Sequence, residues 1–144
     1  MDFLSDYDEQ LSANDTYDIN FGKRIQRTGK IFSYTFWRTE IEGEIFWSVQ
    51  GNKPDGSAWI VTKYFGAREE GKRYQQEIIL HHPVEKKIKM FYMASCSEGM
   101  NCIKISKQII HHFKTSDNSF HFEFRLLKLK RRPYPRRMLF EDSE

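Results

Sequence analysis

The segment 120–127, with the sequence FHFEFRLL, places the strongest constraint on the fold of this chain. Large apolar side chains alternate in it with His121, Glu123 and Arg125. Successive side chains of a β-strand point to opposite faces of a sheet. The alternation therefore predicts a strand with one face buried and the other face in water.

The rest of the chain extends this pattern to an all-β fold. Aromatic residues make up 15% of the sequence, and they suit the half-buried faces of strands. Long Ala- and Leu-rich segments with a helical period are missing. Turn signals separate about seven to eight strands, which predicts an antiparallel β-sandwich. Residues 103–113 fit a short helix or an irregular crossover before the last strand.

Charge divides the chain into three parts. Residues 1–15 are polar and acidic, and they predict a disordered leader. Residues 16–127 form the predicted sandwich. Residues 128–144 predict a basic, partly disordered tail, which is either a nuclear localisation signal, a phosphate-contacting arm or a solubilising end. Its basic side chains are Lys128, Lys130, Arg131, Arg132, Arg136 and Arg137.

Four further segments predict strands. Residues 17–21, 45–49 and 88–93 each show a short apolar pattern, and in residues 31–37 three rings fall on one face. These rings, from Phe32, Tyr34 and Phe36, are expected in the core. If residues 31–37 form an edge strand instead, Tyr34 and Trp37 are placed to line a peptide groove.

Residues 59–80 predict a strand, a charged turn bracketed by Gly66 and Gly71, and a second strand. Such a two-stranded unit is not stable alone in water, so other strands must cover its apolar face.

The run YFGAREEGKRYQQEIIL (64–80), preceded by WIV and an Asp-Gly turn, resembles the central part of a seven-in-absentia-type substrate-binding domain. That domain is a TRAF-like, or MATH-like, β-sandwich. In that domain a strand is followed by a glycine, a charged turn, an aromatic residue and a second strand. The matching residues in this chain are Gly66, Arg68, Tyr74 and Leu80. The likeness covers about residues 30–127. The RING finger and Cys/His zinc fingers that accompany this domain in the family have no counterpart in the sequence.

The resemblance implies a module that binds an extended peptide of a partner or substrate protein beside an exposed strand. It also implies a possible adaptor role in ubiquitin-dependent degradation and a possible homodimer. The family's groove lies on early strands of the sandwich. By position, this makes Phe32, Tyr34, Trp37 and Trp47 the candidate peptide-binding residues.

No catalytic, metal or cofactor signature is present, so we expect no enzyme activity. Cys96 lacks a neighbouring base, and no strand-to-helix nucleophile motif occurs. Adjacent strand residues face opposite ways, so the His-His pairs at 81–82 and 111–112 are not expected to hold a metal ion. Both pairs lie at predicted loop or element ends and are expected to be solvated turn histidines. The sequence predicts no membrane span. Its two cysteines, expected to be free thiols, favour a reducing compartment, which is the cytoplasm or the nucleus.

Two alternatives stay open at this point. In the first, a closed barrel would bind a small ligand in a cavity lined by the aromatic side chains. In the second, the basic tail would bind nucleic acid. The aromatic side chains of the domain itself are expected to form the core and not a stacking platform for bases.

Overall fold

Antiparallel strands dominate the chain, as the alternating pattern predicted. The computed structural model describes residues 16–130, so the predicted leader and residues 131–144 of the predicted tail lie outside the described residues. The elements, in chain order, are β1 (Tyr17–Asp18), β2 (Ile25–Lys30), β3 (Thr35–Ile41), β4 (Glu44–Asn52), β5 (Ala58–Phe65), a 3-10 helix (Arg68–Arg73), β6 (Tyr74–His81), β7 (Lys89–Ser95), β8 (Cys102–Ile105), α1 (Lys107–Phe113) and β9 (Ser119–Leu129).

The strands form two sheets. The first sheet has the order β1–β9–β6–β7, with β2 also paired to β9, and the second has the order β3–β4–β5–β8. All described pairs are antiparallel. Because the described strands remain in two separate sheets with α1 before the last strand, the predicted antiparallel sandwich with a helical crossover is confirmed.

The inner face of β9 forms the centre of the core. Phe120, Phe122, Phe124 and Leu126 are all buried. From the second sheet, the ring of Trp37 lies 6.0 Å from that of Phe122 and 5.2 Å from that of Phe124. Each large aromatic side chain removes a large apolar area from water, so these rings supply much of the driving force for folding.

The two strands of the 59–80 segment do not pair with each other, which corrects the predicted two-stranded unit. β5 pairs with β4 and β8, whereas β6 pairs with β7 and β9. The charged turn is the 3-10 helix, and it carries the chain from one sheet to the other. β6 is buried on both faces at Ile78, Ile79 and Leu80, and β7 and β9 occupy its two edges.

Glycine is required at the start of this crossover. A Cβ atom on Gly66 would lie 2.3 Å from the Tyr64 ring and hydroxyl. The Tyr64 ring itself packs 4.9 Å from that of Tyr74 at the beginning of β6. The contact between the rings of Tyr64 and Tyr74 joins the end of β5 to the beginning of β6.

The early strands also differ from their prediction. Residues 31–37 are not one strand: the chain turns at Phe32, which has φ 70°, and β3 begins at Thr35. β2 was not predicted, because its sequence IQRTGK is mostly polar. It fits against β9 through Gly29, where a Cβ atom would lie 2.5 Å from the Phe120 ring.

The last strand extends beyond its predicted end. β9 continues to Leu129, so Lys128 belongs to the sheet and pairs with Asp18 and Tyr74. The face predicted to be in water is exposed at His121 but buried at Arg125. At that position Arg125 pairs with Glu77 of β6, and the side chains of both residues are almost completely buried.

The turn between β3 and β4 offers a test of this register. Glu42 and Gly43 join the strands with φ values of 53° and 80°. Asn and Gly are the preferred residues of such two-residue turns, because Asn tolerates the left-handed region better than Glu. We expect Glu42→Asn to raise the free energy of unfolding by about 0.5–1 kcal/mol, measured by urea denaturation. A loss of stability would show that the turn has another conformation.

Candidate functional site

Strand β3 forms an open edge of the second sheet. It pairs with β4 on one side, and no strand among residues 16–130 pairs with its other side. The two-residue turn brings Ile41 and Glu44 into a hydrogen-bonded pair, and such pairs alternate along antiparallel strands. The backbone N–H and C=O groups of Phe36, Arg38 and Glu40 therefore point away from β4, toward the open edge.

The outer face of the second sheet carries exposed rings beside this edge. We call this surface the aromatic face. The side chain of Tyr34 is 62% exposed and that of Phe36 is 68% exposed. Their ring centroids lie 6.5 Å apart, and the Tyr34 ring lies 6.1 Å from that of Trp59. The residues of the aromatic face are Tyr34, Phe36, Trp47, Trp59 and Phe65.

Gly51 provides the flat surface on which two of these rings lie. A Cβ atom at this position would come within 2.4 Å of the Trp59 ring and 2.8 Å of the Tyr34 ring. Any side chain at residue 51 would therefore push these rings off the sheet.

The structure separates the four residues that the sequence suggested for peptide binding. Phe32, in the turn before β3, is 73% exposed. Tyr34 and Trp47 lie on the aromatic face. Trp37 is only 4% exposed and packs in the core, so its ring is not accessible to a peptide. The alternation of β3 places Trp37 on the inner face and Phe36 on the outer face.

Sequence reasoning missed Phe36 and Phe65 as exposed residues, and Trp59 as a half-buried residue of the same face. A signal was present: β3 and β4 each contain two adjacent aromatic residues, at 36–37 and 46–47. Adjacent residues of a strand face opposite sides. One ring of each pair must therefore point away from the core unless a further layer covers it.

Basic side chains lie among the exposed rings. Lys63 Nζ is 5.4 Å from the centroid of the Phe65 ring, and Lys104 is the register partner of Trp59. Arg38 is paired with Glu40 at 2.9 Å. The expectation that the rings of the domain all belong to the core is therefore wrong for this face.

The prediction of turn histidines is wrong for three of the four residues in the His-His pairs, because His81 ends β6 and His111 and His112 lie in α1. His81 Nε2 lies 2.8 Å from Glu123 Oε2. His82 Nδ1 accepts hydrogen bonds from the backbone N–H groups of Val84 and Glu85 at 3.1 and 2.9 Å. Its ring lies 5.0 Å from that of His112. Within residues 16–130, no group of three or more His, Cys, Asp or Glu side chains is placed to hold a metal ion.

The two cysteines differ in their surroundings. Cys96 is buried, and loss of hydration raises the pKa of its thiol to about 12. Cys102 is exposed on the outer side of β8. The thiolate is the reactive form of cysteine.

We therefore expect iodoacetamide at pH 8 to alkylate Cys102 and leave Cys96 unmodified in the folded chain. Mass spectrometry of the intact protein and of its peptides checks this result. Modification of both thiols in urea is the control. Equal rates of modification in the folded chain would contradict the burial of Cys96.

Neither a protein-family model nor a curated protein matches this chain. Across residues 16–130, no helix combines the length and the apolar character needed to cross a bilayer. The geometry of β3 and the aromatic face is therefore the basis for a functional proposal.

Proposed function

We propose that this chain is a protein-interaction module that binds an extended peptide of a partner protein along β3. The observation that carries the proposal is the open backbone edge of β3 next to exposed rings. An extended peptide that adds to a sheet edge gains affinity from main-chain hydrogen bonds and specificity from alternate side chains. Exposed edges are otherwise a risk for aggregation, so a binding role accounts for this one.

The contacts of such a peptide follow from the register. The outward backbone groups of Phe36, Arg38 and Glu40 hydrogen-bond with it. Alternate peptide side chains lie on the aromatic face, beside Phe36 and Trp47. The remaining side chains point to the opposite side, where the Arg27 guanidinium lies 4.8 Å from the centroid of the Trp37 ring.

The resemblance to seven-in-absentia-type domains adds a cellular context to this proposal. Two antiparallel sheets with a helix before the last strand agree with the sandwich that the resemblance implies. On this basis, the partner is a substrate protein, and the chain acts as an adaptor in ubiquitin-dependent degradation. A homodimer in the cytoplasm or nucleus belongs to the same proposal.

The backbone of β3 provides the test. Peptides selected from a random display library are titrated against the wild-type chain, Arg38→Pro and Arg38→Ala. Proline removes the outward N–H group of residue 38, and edge strands tolerate proline at such positions. Arg38→Ala is the matched control, because it keeps the backbone donor and removes the same side chain.

We expect Arg38→Pro to abolish binding of the selected peptides and Arg38→Ala to retain most of it. Circular dichroism confirms that both variants are folded. If no peptide is selected, or if Arg38→Pro binds as tightly as Arg38→Ala, the β3 edge is not the binding site.

A second candidate function is the binding of single-stranded nucleic acid on the aromatic face. This candidate is favoured by Lys63 and Lys104, which lie among the exposed rings. Proteins bind single strands by stacking bases on aromatic side chains and by placing basic side chains near the phosphate backbone. Lys128, the first basic residue of the predicted tail, lies in β9, and its Nζ is 3.8 Å from Glu42 Oε1 in the turn between β3 and β4.

Oligonucleotide binding measured against salt concentration tests this candidate. Affinity should fall with rising salt, and it should fall further in Lys63→Ala/Lys104→Ala and after removal of residues 131–144. The truncation begins at residue 131 because β9 extends to Leu129. Binding that is insensitive to salt and to both changes would contradict it.

A further inference from the structure

A cleft of about 370 Å³ lies between helix α1, the turn before β3 and the turn between β4 and β5. Ligand pockets are typically about 300–1,000 Å³. The cleft is at the lower end of this range, so its size suits one or two side chains and not a large cofactor.

The lining of the cleft is apolar within and basic at the rim. Ile31, Phe32 and Ile110 contribute the apolar surface. Lys107, His111 and Lys114 also line the cleft. Lys107 and His111 are four positions apart on one side of α1, and Lys114 directly follows the helix. Helix α1 itself has the sequence KQIIHHF and contains no carboxylate.

One carboxylate, that of Asp55, lies among the described lining residues. It accepts hydrogen bonds from the backbone N–H group and the hydroxyl of Ser57, at 2.9 and 2.8 Å. Its charge offsets one of the two lysine charges and is already engaged by the turn. The cleft therefore keeps a net positive charge above an apolar floor.

The cleft also lies at the end of the proposed peptide-binding edge. Phe32 lines it and precedes the first residue of β3, Thr35, by three positions. An extended peptide advances about 3.3 Å per residue. A peptide bound along β3 therefore reaches the cleft within a few residues of the end of the strand.

From these features we infer that the cleft binds an acidic segment of the partner peptide that carries a large apolar side chain. This inference rests on the proposed function and names the class of peptide. The apolar side chain fills the space beside Phe32 and Ile110, and flanking Asp or Glu side chains face Lys107 and Lys114. The rest of the peptide continues along β3.

The experiment measures fluorescence anisotropy of labelled synthetic peptides with the full chain. The probe contains Asp-Glu-Leu-Phe-Asp-Glu followed by alternating Thr and Val. One control peptide has Lys at every acidic position, and another has Ser in place of Leu and Phe. Dodecanoate is added as a competitor to distinguish an anionic amphiphile from a peptide.

Two variants alter side chains of the cleft and leave the backbone of β3 unchanged. Lys107→Glu/Lys114→Glu reverses the rim charge, with Lys23→Glu/Lys87→Glu as a control at exposed lysines outside the cleft. Phe32→Asn removes the ring, and Asn is well suited to the positive φ of residue 32. We therefore expect Phe32→Asn to remain folded.

We expect the acidic probe to bind more tightly than either control peptide. Lys107→Glu/Lys114→Glu should lower the affinity for the acidic probe about tenfold or more, which corresponds to a loss of about 1.4 kcal/mol of binding free energy. Phe32→Asn should weaken it as well, and the Lys23/Lys87 control should not. The inference is overturned if the basic peptide binds equally well, if the cleft variants bind like the wild-type chain, or if dodecanoate displaces the probe at similar affinity.

These outcomes are separable from failure of the proposed function. Peptides that lose binding with Arg38→Pro but are unaffected by both cleft variants would support binding along β3 and exclude the cleft. An acidic probe that depends on Lys107 and Lys114 but not on the backbone of residue 38 would support the cleft and contradict the β3 edge.

Discussion

Replacing Arg125 by methionine should lower the free energy of unfolding by about 3–5 kcal/mol, because it leaves a buried carboxylate without its main partner. Arg125 donates two hydrogen bonds to Glu77, from Nε at 3.1 Å and from Nη2 at 3.0 Å. The side chains of both residues are almost completely buried. Arg24 Nε also approaches Glu77 Oε1, at 3.4 Å, but the side chain of Arg24 is 38% exposed.

Urea denaturation of the variants Arg125→Met, Glu77→Met and the double variant measures this effect. The double variant should recover most of the lost stability, since a buried ion pair can often be replaced by apolar side chains of similar volume. If Arg125→Met costs less than about 1 kcal/mol, which is typical of an exposed ion pair, the pair is not buried as described.

Replacing Phe46 by alanine should lower the free energy of unfolding by about 3–5 kcal/mol, because it opens a cavity in the core. Phe46 is completely buried. Its ring centroid lies 6.4 Å from that of Phe21, 5.3 Å from that of Tyr64 and 5.1 Å from that of Tyr74. Tyr64 belongs to the second sheet, Tyr74 to the first, and Phe21 to the segment between β1 and β2. The cavity would therefore weaken the contact between the two sheets.

Phe65→Ala is the matched control for Phe46→Ala. Phe65 lies on the same sheet but on the aromatic face, where its ring is exposed. Removal of the Phe65 ring should change the free energy of unfolding by no more than about 0.5 kcal/mol. Similar costs for the two substitutions would contradict the assignment of inner and outer faces in the second sheet.

The features that the sequence predicted well depend on local periodicity. The alternation at residues 120–127 predicted β9, and residues 103–113 suggested a short helix, which is α1 after β8. Both predictions needed only side-chain spacing along one segment. The polar strand β2 has no such pattern, because most of its side chains are exposed and Gly29 makes its closest fit to β9.

The arrangement of strands in sheets depends on partners that are distant in the chain. Residues 59–80 looked like two paired strands because two apolar segments flank a charged turn. Whether such segments pair with each other or cross between sheets depends on β4, β7 and β9 as competing partners. In this chain, β7 and β9 occupy the two edges of β6, and β4 and β8 occupy those of β5.

Sequence analysis identified only some of the exposed residues of the candidate site. Tyr34 and Trp47 are exposed as a groove requires, but Trp37 is in the core and Phe36 takes the outer position. The predicted alternation placed Tyr34 and Phe36 on the same face, as observed, but that face was expected in the core and it is the outer face of the sheet. Alternation separates the two faces of a strand and does not determine which of them is buried.

Amide hydrogen exchange of β3, followed by NMR with and without a selected peptide, tests peptide addition to this edge most directly. Without peptide, the amides of Phe36, Arg38 and Glu40 should exchange fast, and those of Trp37 and Thr39, which face β4, should exchange slowly. Bound peptide should protect Phe36, Arg38 and Glu40 selectively. Peptide binding that leaves these three amides unprotected would contradict the account.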